Sequence, residues 1–290
     1  MTLTVLALVV LASALHVSWN TLVKKCKNKA SFTWLTTLAS TLILLPVFLI
    51  YRWSSSIDFD FRILPWAALS GFFEAWYFIF LYSAYRRTDL SVVYPLSRGA
   101  APVLTLLLAG TLVGDHVTFD KGLAVMVVTL GIVSVGLSIQ QSGQGPGWAG
   151  ALLSLGSGLM IASYHLVDRK AMLRPNPLVV WEYMFLMQLF LSIFMSAWGC
   201  LDRTRVEGLR YEWRENRLGV LAVSFLAPLA YGLIVLALKL GNVTYVTAGR
   251  NVGIVMSVIV GIIYFKEKVS GPRVLGAALI TIGVAWMVIS

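Results

Sequence analysis

The sequence predicts an all-α integral membrane protein of ten transmembrane helices, arranged as two inverted five-helix repeats. Three observations predict it. The chain is 58% hydrophobic and only 12% charged, with a mean hydropathy of +0.82, whereas soluble domains carry about 25% charged residues. Ten apolar runs each approach the ~20 residues a helix needs to cross a bilayer core. The chain also repeats itself. Segment 90–138 aligns without a gap on segment 242–290, which places Arg98 on Arg250, Asp115 on Glu267, Lys121 on Arg273 and Gly131 on Gly283. Internal repetition in so apolar a chain points to a transporter built from repeats.

In order, the runs fall at 3–23, 31–51, 63–84, 90–112, 119–138, 147–168, 177–199, 218–238, 243–265 and 271–290. Ala12-Ser13-Ala14 has the small residues of a signal cleavage site. No basic segment precedes Leu3 and the run continues to Val23, so it reads as the first membrane helix. The connection from Leu201 to Arg217 alternates arginines with Glu207, Glu212 and Glu215 and reads as an interfacial loop or short helix. Gln141 to Gly147 is the clearest linker, and it divides the chain into residues 1–140 and 147–290. The other helices repeat more faintly: Trp19 matches Tyr164, Ser18 matches Ser163, Lys24-Lys25 matches Arg169-Lys170, and Trp34 matches Trp181. Five is odd, so the second half enters the membrane from the opposite face. Gly110/Gly114 and Gly249/Gly253/Ser257/Gly261 have the spacing that lets membrane helices approach closely.

The net charge is +10, but the positive residues lie mostly between apolar runs, where they orient a membrane protein. The charge therefore does not point to nucleic acid. The face holding the loops at Lys24–Lys29, Arg86–Arg87, Arg203–Arg217 and Lys266–Arg273 carries twice as many Lys and Arg as the other. Taken alone, that count puts this face in the cytoplasm and both termini away from it. Cys26 and Cys200 have no metal-ligand spacing, and neither is assigned a role. The sequence contains no Walker loop, HExxH pair, Gly-rich dinucleotide turn or spaced Ser-His-Asp set. No catalytic residue, metal or cofactor is expected, and accumulation must draw on a gradient.

The chemistry lies in the few polar residues inside the spans. Arg98 sits about 12 Å into its helix at 1.5 Å per residue. A charge there costs roughly 2.5–3.5 kcal/mol even on the lenient insertion scale. Ser91, Tyr94, Pro102 and Thr105 share its face, while Thr247, Gly253 and Ser257 share that of Arg250. A guanidinium fork matches carboxylate or phosphate, so the pair forms a candidate floor for an anionic group. The competing reading is that each arginine caps carbonyls or pairs with a buried acid. Glu74 shares a face with Ser70 and Tyr77; it is either a proton carrier or the ion-pair partner of Arg98. His16 and Asn20, one turn apart, form a polar stripe, and His165 falls at the position of Asn20. Histidine can titrate near neutral pH, but interhelical hydrogen bonding is the plainer role. Tyr77 and Tyr231 are aromatic candidates for a central cavity.

His16 to Lys24 (HVSWNTLVK), Tyr94 to Pro102 (YPLSRGAAP) and the acidic turns at Asp115 and Glu267 resemble the EamA-like group of the drug/metabolite transporter superfamily. The resemblance spans essentially the whole chain. It departs at Asp115, where Glu is common. It implies a basket of two inverted repeats, with the first, third, fourth, sixth, eighth and ninth spans around a central cavity and the fifth and tenth outside. That would put His16, Asn20, Glu74, Tyr77, Arg98, His165, Tyr231 and Arg250 on cavity-lining helices. It also implies cytoplasmic termini, against the loop count. The group handles amino acids, other metabolites, amphipathic drugs and, in related branches, phosphorylated sugars.

The expectation is a secondary transporter, not an enzyme, for a small anionic or zwitterionic metabolite, proton-coupled or exchanging. The alternatives are an exporter of amphipathic compounds, with Glu74 as proton carrier, and a membrane-embedded enzyme or lipid head-group handling protein. The expected partners are the small-molecule substrate and the lipid bilayer. The expected state is a monomer or homodimer, multi-pass in a bacterial-type inner membrane.

Overall fold

A computed structural model describes residues 1–23, 26–55, 58–87, 90–137, 148–174, 179–263 and 270–289. The linker 141–147, the Lys24-Lys25 pair and the acidic turn at Glu267 lie outside the described residues, as do the side chains of Ser91, Tyr94 and Pro95.

In hydrocarbon every backbone N–H and C=O must be satisfied within the segment, which leaves helices as the spanning element for this chain. The chain forms α1 (Leu3–Val23), α2 (Lys29–Ser54), a short 3₁₀ turn (Phe61–Ile63), α3 (Leu64–Tyr85), α4 (Leu90–Val113) and α5 (Phe119–Leu137). The second half follows with α6 (Trp148–Met172), α7 (Val179–Gly199), α8 (Arg203–Leu240), α9 (Val243–Gly249), α10 (Val252–Ile263) and α11 (Gly271–Ile289). Nine stretches among the described residues are long and apolar enough to cross a membrane, with α9–α10 merged into one; α5, 19 residues long, completes ten.

Polar side chains set the ends. Asn28 accepts from Ser31 N at 3.1 Å at the start of α2, and Asn242 accepts from Thr244 N at 2.9 Å at the start of α9. Such caps satisfy the orphan donors of a first turn. Gly114 ends α4 at φ 73°, a conformation that side-chain-bearing residues rarely adopt.

Of the two forms allowed for the connection from Leu201 to Arg217, the structure has the helix: it is the first part of α8, set off from the rest by non-helical backbone at Asn216 (φ −127°, ψ 24°). One expectation needs correction. The ninth span, expected to be continuous over 243–265, changes its backbone at Arg250–Asn251, between α9 and α10. There the hydrogen bonds shorten to the i−3 pattern: Asn251 N to Ala248 O at 3.1 Å, Gly253 N to Arg250 O at 3.2 Å and Ile254 N to Asn251 O at 2.8 Å. A 3₁₀ stretch inside a helix is often a hinge.

The packing exchanges consistently when the halves are exchanged. α3 packs on α6 and α7, as α8 packs on α1 and α2; α2 faces α7, and α5 faces α11. Each half is thus buried against the other. α5 crosses α11 closely, where a Cβ on Gly131 would come within 2.7 Å of Gly276 O, and one on Gly276 within 2.5 Å of Gly131 O. Among the described residues the expected Gly110/Gly114 approach is not seen: a Cβ on Gly110 would meet Asp115 O of its own turn, at 3.9 Å.

Candidate functional site

A cavity of about 1200 Å³ lies between the halves, lined by His16, Asn20, Glu74, Tyr77, Arg98, Tyr231 and Arg250 among others. Its lining follows α1 from Ala12 to Val23 and takes in Lys29, Tyr85 and Arg273. It therefore opens on the face that carries the α1–α2 and α3–α4 connections.

The two arginines are held alike. Arg98 Nη2 donates to His16 Nε2 at 3.2 Å, and Arg250 Nη1 donates to His165 Nε2. A guanidinium has no acceptor, so each imidazole accepts through Nε2 and carries its proton on Nδ1. For His165 that N–H donates to Thr247 Oγ1, with Nδ1 and Oγ1 2.8 Å apart. His16 instead stacks edge-on against Trp19, centroids 4.6 Å apart. Neither neutral imidazole cancels the charge it holds. Arg250 forms no ion pair among the described residues; its guanidinium lies 5.5 Å from the centre of the Tyr231 ring, within cation–π range.

His165 occupies a different place from the one its cavity-lining helix implied. It is 1% exposed and stands behind Arg250, off the cavity wall. It also plays the part of His16, not of Asn20, in the second half. Asn20 does line the cavity but spends its amide on His16 O, at 2.9 Å. Tyr77, Tyr164 and Tyr231 form an edge-to-face ladder, with centroids 6.2 and 5.9 Å apart. Glu74 forms no ion pair with Arg98, and its buried Oε2 has no hydrogen-bond partner.

Asp168 was not among the expected residues. It is fully buried and accepts three hydroxyl hydrogen bonds, from Ser70 at 2.5 Å, from Tyr183 and from Tyr231. Ser70 is one helical turn from Glu74 on α3, and Tyr231 faces both Asp168 and Arg250. Asp168 thus sets the ring against which Arg250 rests. The symmetry argument could not find it, because the helix-one alignment pairs it with Val23, and its neighbours Arg169-Lys170 read as a helix end.

On the face opposite the cavity mouth, Asp115 ties the two halves together. Its carboxylate receives Arg169 through Nε at 3.0 Å and Nη2 at 2.8 Å, and also accepts the Val243 backbone N–H at 2.8 Å. Arg169 Nη1 in turn donates to Leu238 O at 2.6 Å. One bidentate pair therefore joins the α4–α5 turn of the first half to α6, α8 and α9 of the second.

No metal-holding group of His, Cys, Asp or Glu occurs among the described residues. No curated protein matches the chain. A crystal structure titled only as that of a protein matches over 99% of this chain and 97% of its own, with a TM-score of 0.73 and 16% identity; at that identity the likeness is one of fold. The sequence profile of the EamA-like transporter family matches residues 3–137 and again residues 148–289, one copy for each half of the basket. Two matched copies, an all-helical bundle of paired halves and a central cavity agree, and the chain belongs to the EamA-like transporter family.

Proposed function

We propose that the protein is a secondary transporter for a small anionic or zwitterionic metabolite, moved by rocking of the two halves about the arginine pair. One observation carries this reading. Two guanidinium groups line one cavity, each backed by a neutral imidazole that orients it without neutralising it. A carboxylate or phosphate matches the planar fork that a guanidinium presents, and Arg250, which forms no ion pair among the described residues, has charge to meet it. Glu74 lines the same cavity, and its unpartnered oxygen suits a substrate ammonium or a coupling proton, so a zwitterion uses both walls. The Asp115–Arg169 pair is the contact that must part for the closed end to open.

A second reading, export of amphipathic cations, draws support from the tyrosine ladder beside Glu74. Thermal stability of the purified protein across carboxylates, phosphates, amino acids and lipophilic amines separates the two, since a ligand selective for the folded state raises the melting temperature. Stabilisation by carboxylates or phosphates, lost in Arg98→Gln, is the expected result. Stabilisation by lipophilic amines alone, kept in that variant, would overturn the anionic reading and move the site to Glu74.

A further inference from the structure

The start of α8 has a face that the transport site does not use. The whole helix is 38 residues, about 57 Å at 1.5 Å per residue, nearly twice the ~30 Å of a hydrocarbon core. The part beyond the kink at Asn216 spans the core by itself, about 36 Å from Arg217 to Leu240. Its outward residues Leu218, Leu221 and Phe225 are exposed apolar side chains facing lipid. The segment before the kink therefore lies at the level of the lipid head groups.

That segment is fixed to the protein along one side only. Glu212, fully buried, accepts from Asn28 N at 2.7 Å and from Asn216 Nδ2 at 2.6 Å. Arg205 O accepts from Ser31 Oγ at 2.9 Å, and the Arg205 guanidinium stacks 3.6 Å over Trp198. A Cβ on Gly208 would come within 2.3 Å of Ser31 Oγ, so the helix sits tightly on the start of α2. At 100° per residue the opposite face is ordered. Val206 and Trp213 form an exposed apolar edge. Arg203, Arg210 and Arg214 follow, and Glu207 lies beyond them. Arg203 is occupied by Glu207 at 2.9 Å. Arg210 and Arg214, one turn apart, and Arg217, just past the kink at the head of the membrane-spanning part, are all exposed and make no hydrogen bond or ion pair among the described residues.

We propose that this arginine face binds the phosphate groups of anionic phospholipids, with Trp213 and Val206 seated at the acyl boundary. The occupant follows from depth and charge together. Phosphate is the anion present at that level of a bilayer, a guanidinium pairs with it bidentately, and an apolar edge beside a cationic stripe is the pattern of a helix lying in the interface. The helix then anchors the α1–α2 connection at the open mouth of the cavity to the surrounding leaflet. This inference stands apart from the substrate reading.

The test compares melting temperatures of the full chain in vesicles of phosphatidylcholine alone and with added phosphatidylglycerol. The wild type is expected to gain several degrees from phosphatidylglycerol, and the triple variant Arg210→Gln, Arg214→Gln, Arg217→Gln to lose most of that gain. An unchanged melting temperature of the variant in phosphatidylcholine shows that it still folds. A gain of the same size in wild type and variant overturns the proposal. So does an equal gain from free glycerol phosphate added to phosphatidylcholine vesicles, which would assign the face to a soluble anion. A variant that fails to fold is replaced by the triple Arg→Lys form, expected to keep the folded state and part of the gain; no change in gain from wild type would exclude fork-specific phosphate binding.

Discussion

Arg98 and Arg250 are the same residue at matched places in two repeats, yet they sit in different backbones. Arg98 lies within an uninterrupted α4; Arg250 lies at the junction of α9 and α10, where the bonding pattern tightens. The junction is satisfied by its surroundings: Ser13 Oγ donates to Arg250 O at 3.2 Å, and the Asn251 amide donates to Thr247 O and Ala248 O, each at 3.1 Å. α4 carries a latent version of the same weakness. Pro102 has no N–H to give to the carbonyl of Arg98 four residues earlier, so the ladder already lacks a bond at the charge. The halves are alike in sequence and unlike in conformation, as inverted repeats must be when a cavity opens on one face only. The Asp115–Arg169 pair joins the halves on the other face.

The comparison can be broken at several points. The largest effect is expected at Asp168, which has no acidic counterpart in the first half. Asp168→Ala leaves the buried hydroxyls of Ser70, Tyr183 and Tyr231 without their acceptor and should lower stability by about 3 kcal/mol in denaturation of the detergent-solubilised protein. A loss under ~1 kcal/mol would show that Asp168 does not organise the second half.

Next comes the closed end. Asp115→Asn removes one partner of a bidentate pair and should shift the balance towards opening on that face. With Thr105→Cys as reporter, buried on α4 below Arg98, labelling by an impermeant maleimide from the Asp115 face should quicken about tenfold, which corresponds to ~1.4 kcal/mol. Unchanged labelling would mean that the pair does not hold the face shut.

A smaller effect is expected from Pro102→Ala, which restores the missing donor to Arg98 O. It should stabilise the observed state by about 1 kcal/mol and slow transport severalfold, because α4 loses its weak point. Faster transport would contradict a hinge at Arg98. The smallest effect lies outside the membrane. Hydrogen bonds from the Thr204 hydroxyl and backbone N–H hold the Asp202 carboxyl below its ordinary value. Its capping contribution is therefore present above about pH 4 and is lost as pH falls through the lowered value. Protection of the amides of residues 203–206, taken relative to their intrinsic exchange rate at each pH, should fall on acidification in the wild type and should fall no further in Asp202→Ala.

The fold was readable because membrane spans and repeats are written in local composition. Ten runs, the linker and the Arg98–Arg250 match need no knowledge of contacts. The site was half readable. Both arginines, Glu74, Tyr77, His16 and Tyr231 reach the cavity, since a polar residue inside an apolar helix must face something other than lipid. His165 matches Asn20 in the alignment of the first spans, yet it partners Arg250 as His16 partners Arg98, a role that alignment within one helix does not carry. Asp168 escaped notice because it stands beside Arg169-Lys170 and has Val23 as its counterpart, so neither periodicity nor symmetry marks it. The tightened backbone at Arg250 carries no sequence signal either. Pro102 sits in α4, while the altered turn is in the other repeat, so conformation and composition point to opposite halves.

The central claim is that Arg98 and Arg250 hold one anionic group between them, and a double-mutant cycle tests it most directly. The affinity of a stabilising carboxylate or phosphate would be measured for the wild type, Arg98→Gln, Arg250→Gln and the double variant, with folding checked in each. Residues that share a partner are energetically coupled, whereas independent sites add. The account predicts that each single change loses most of the binding and that the second adds little. Strictly additive losses, or one arginine that can be replaced without effect, would contradict it.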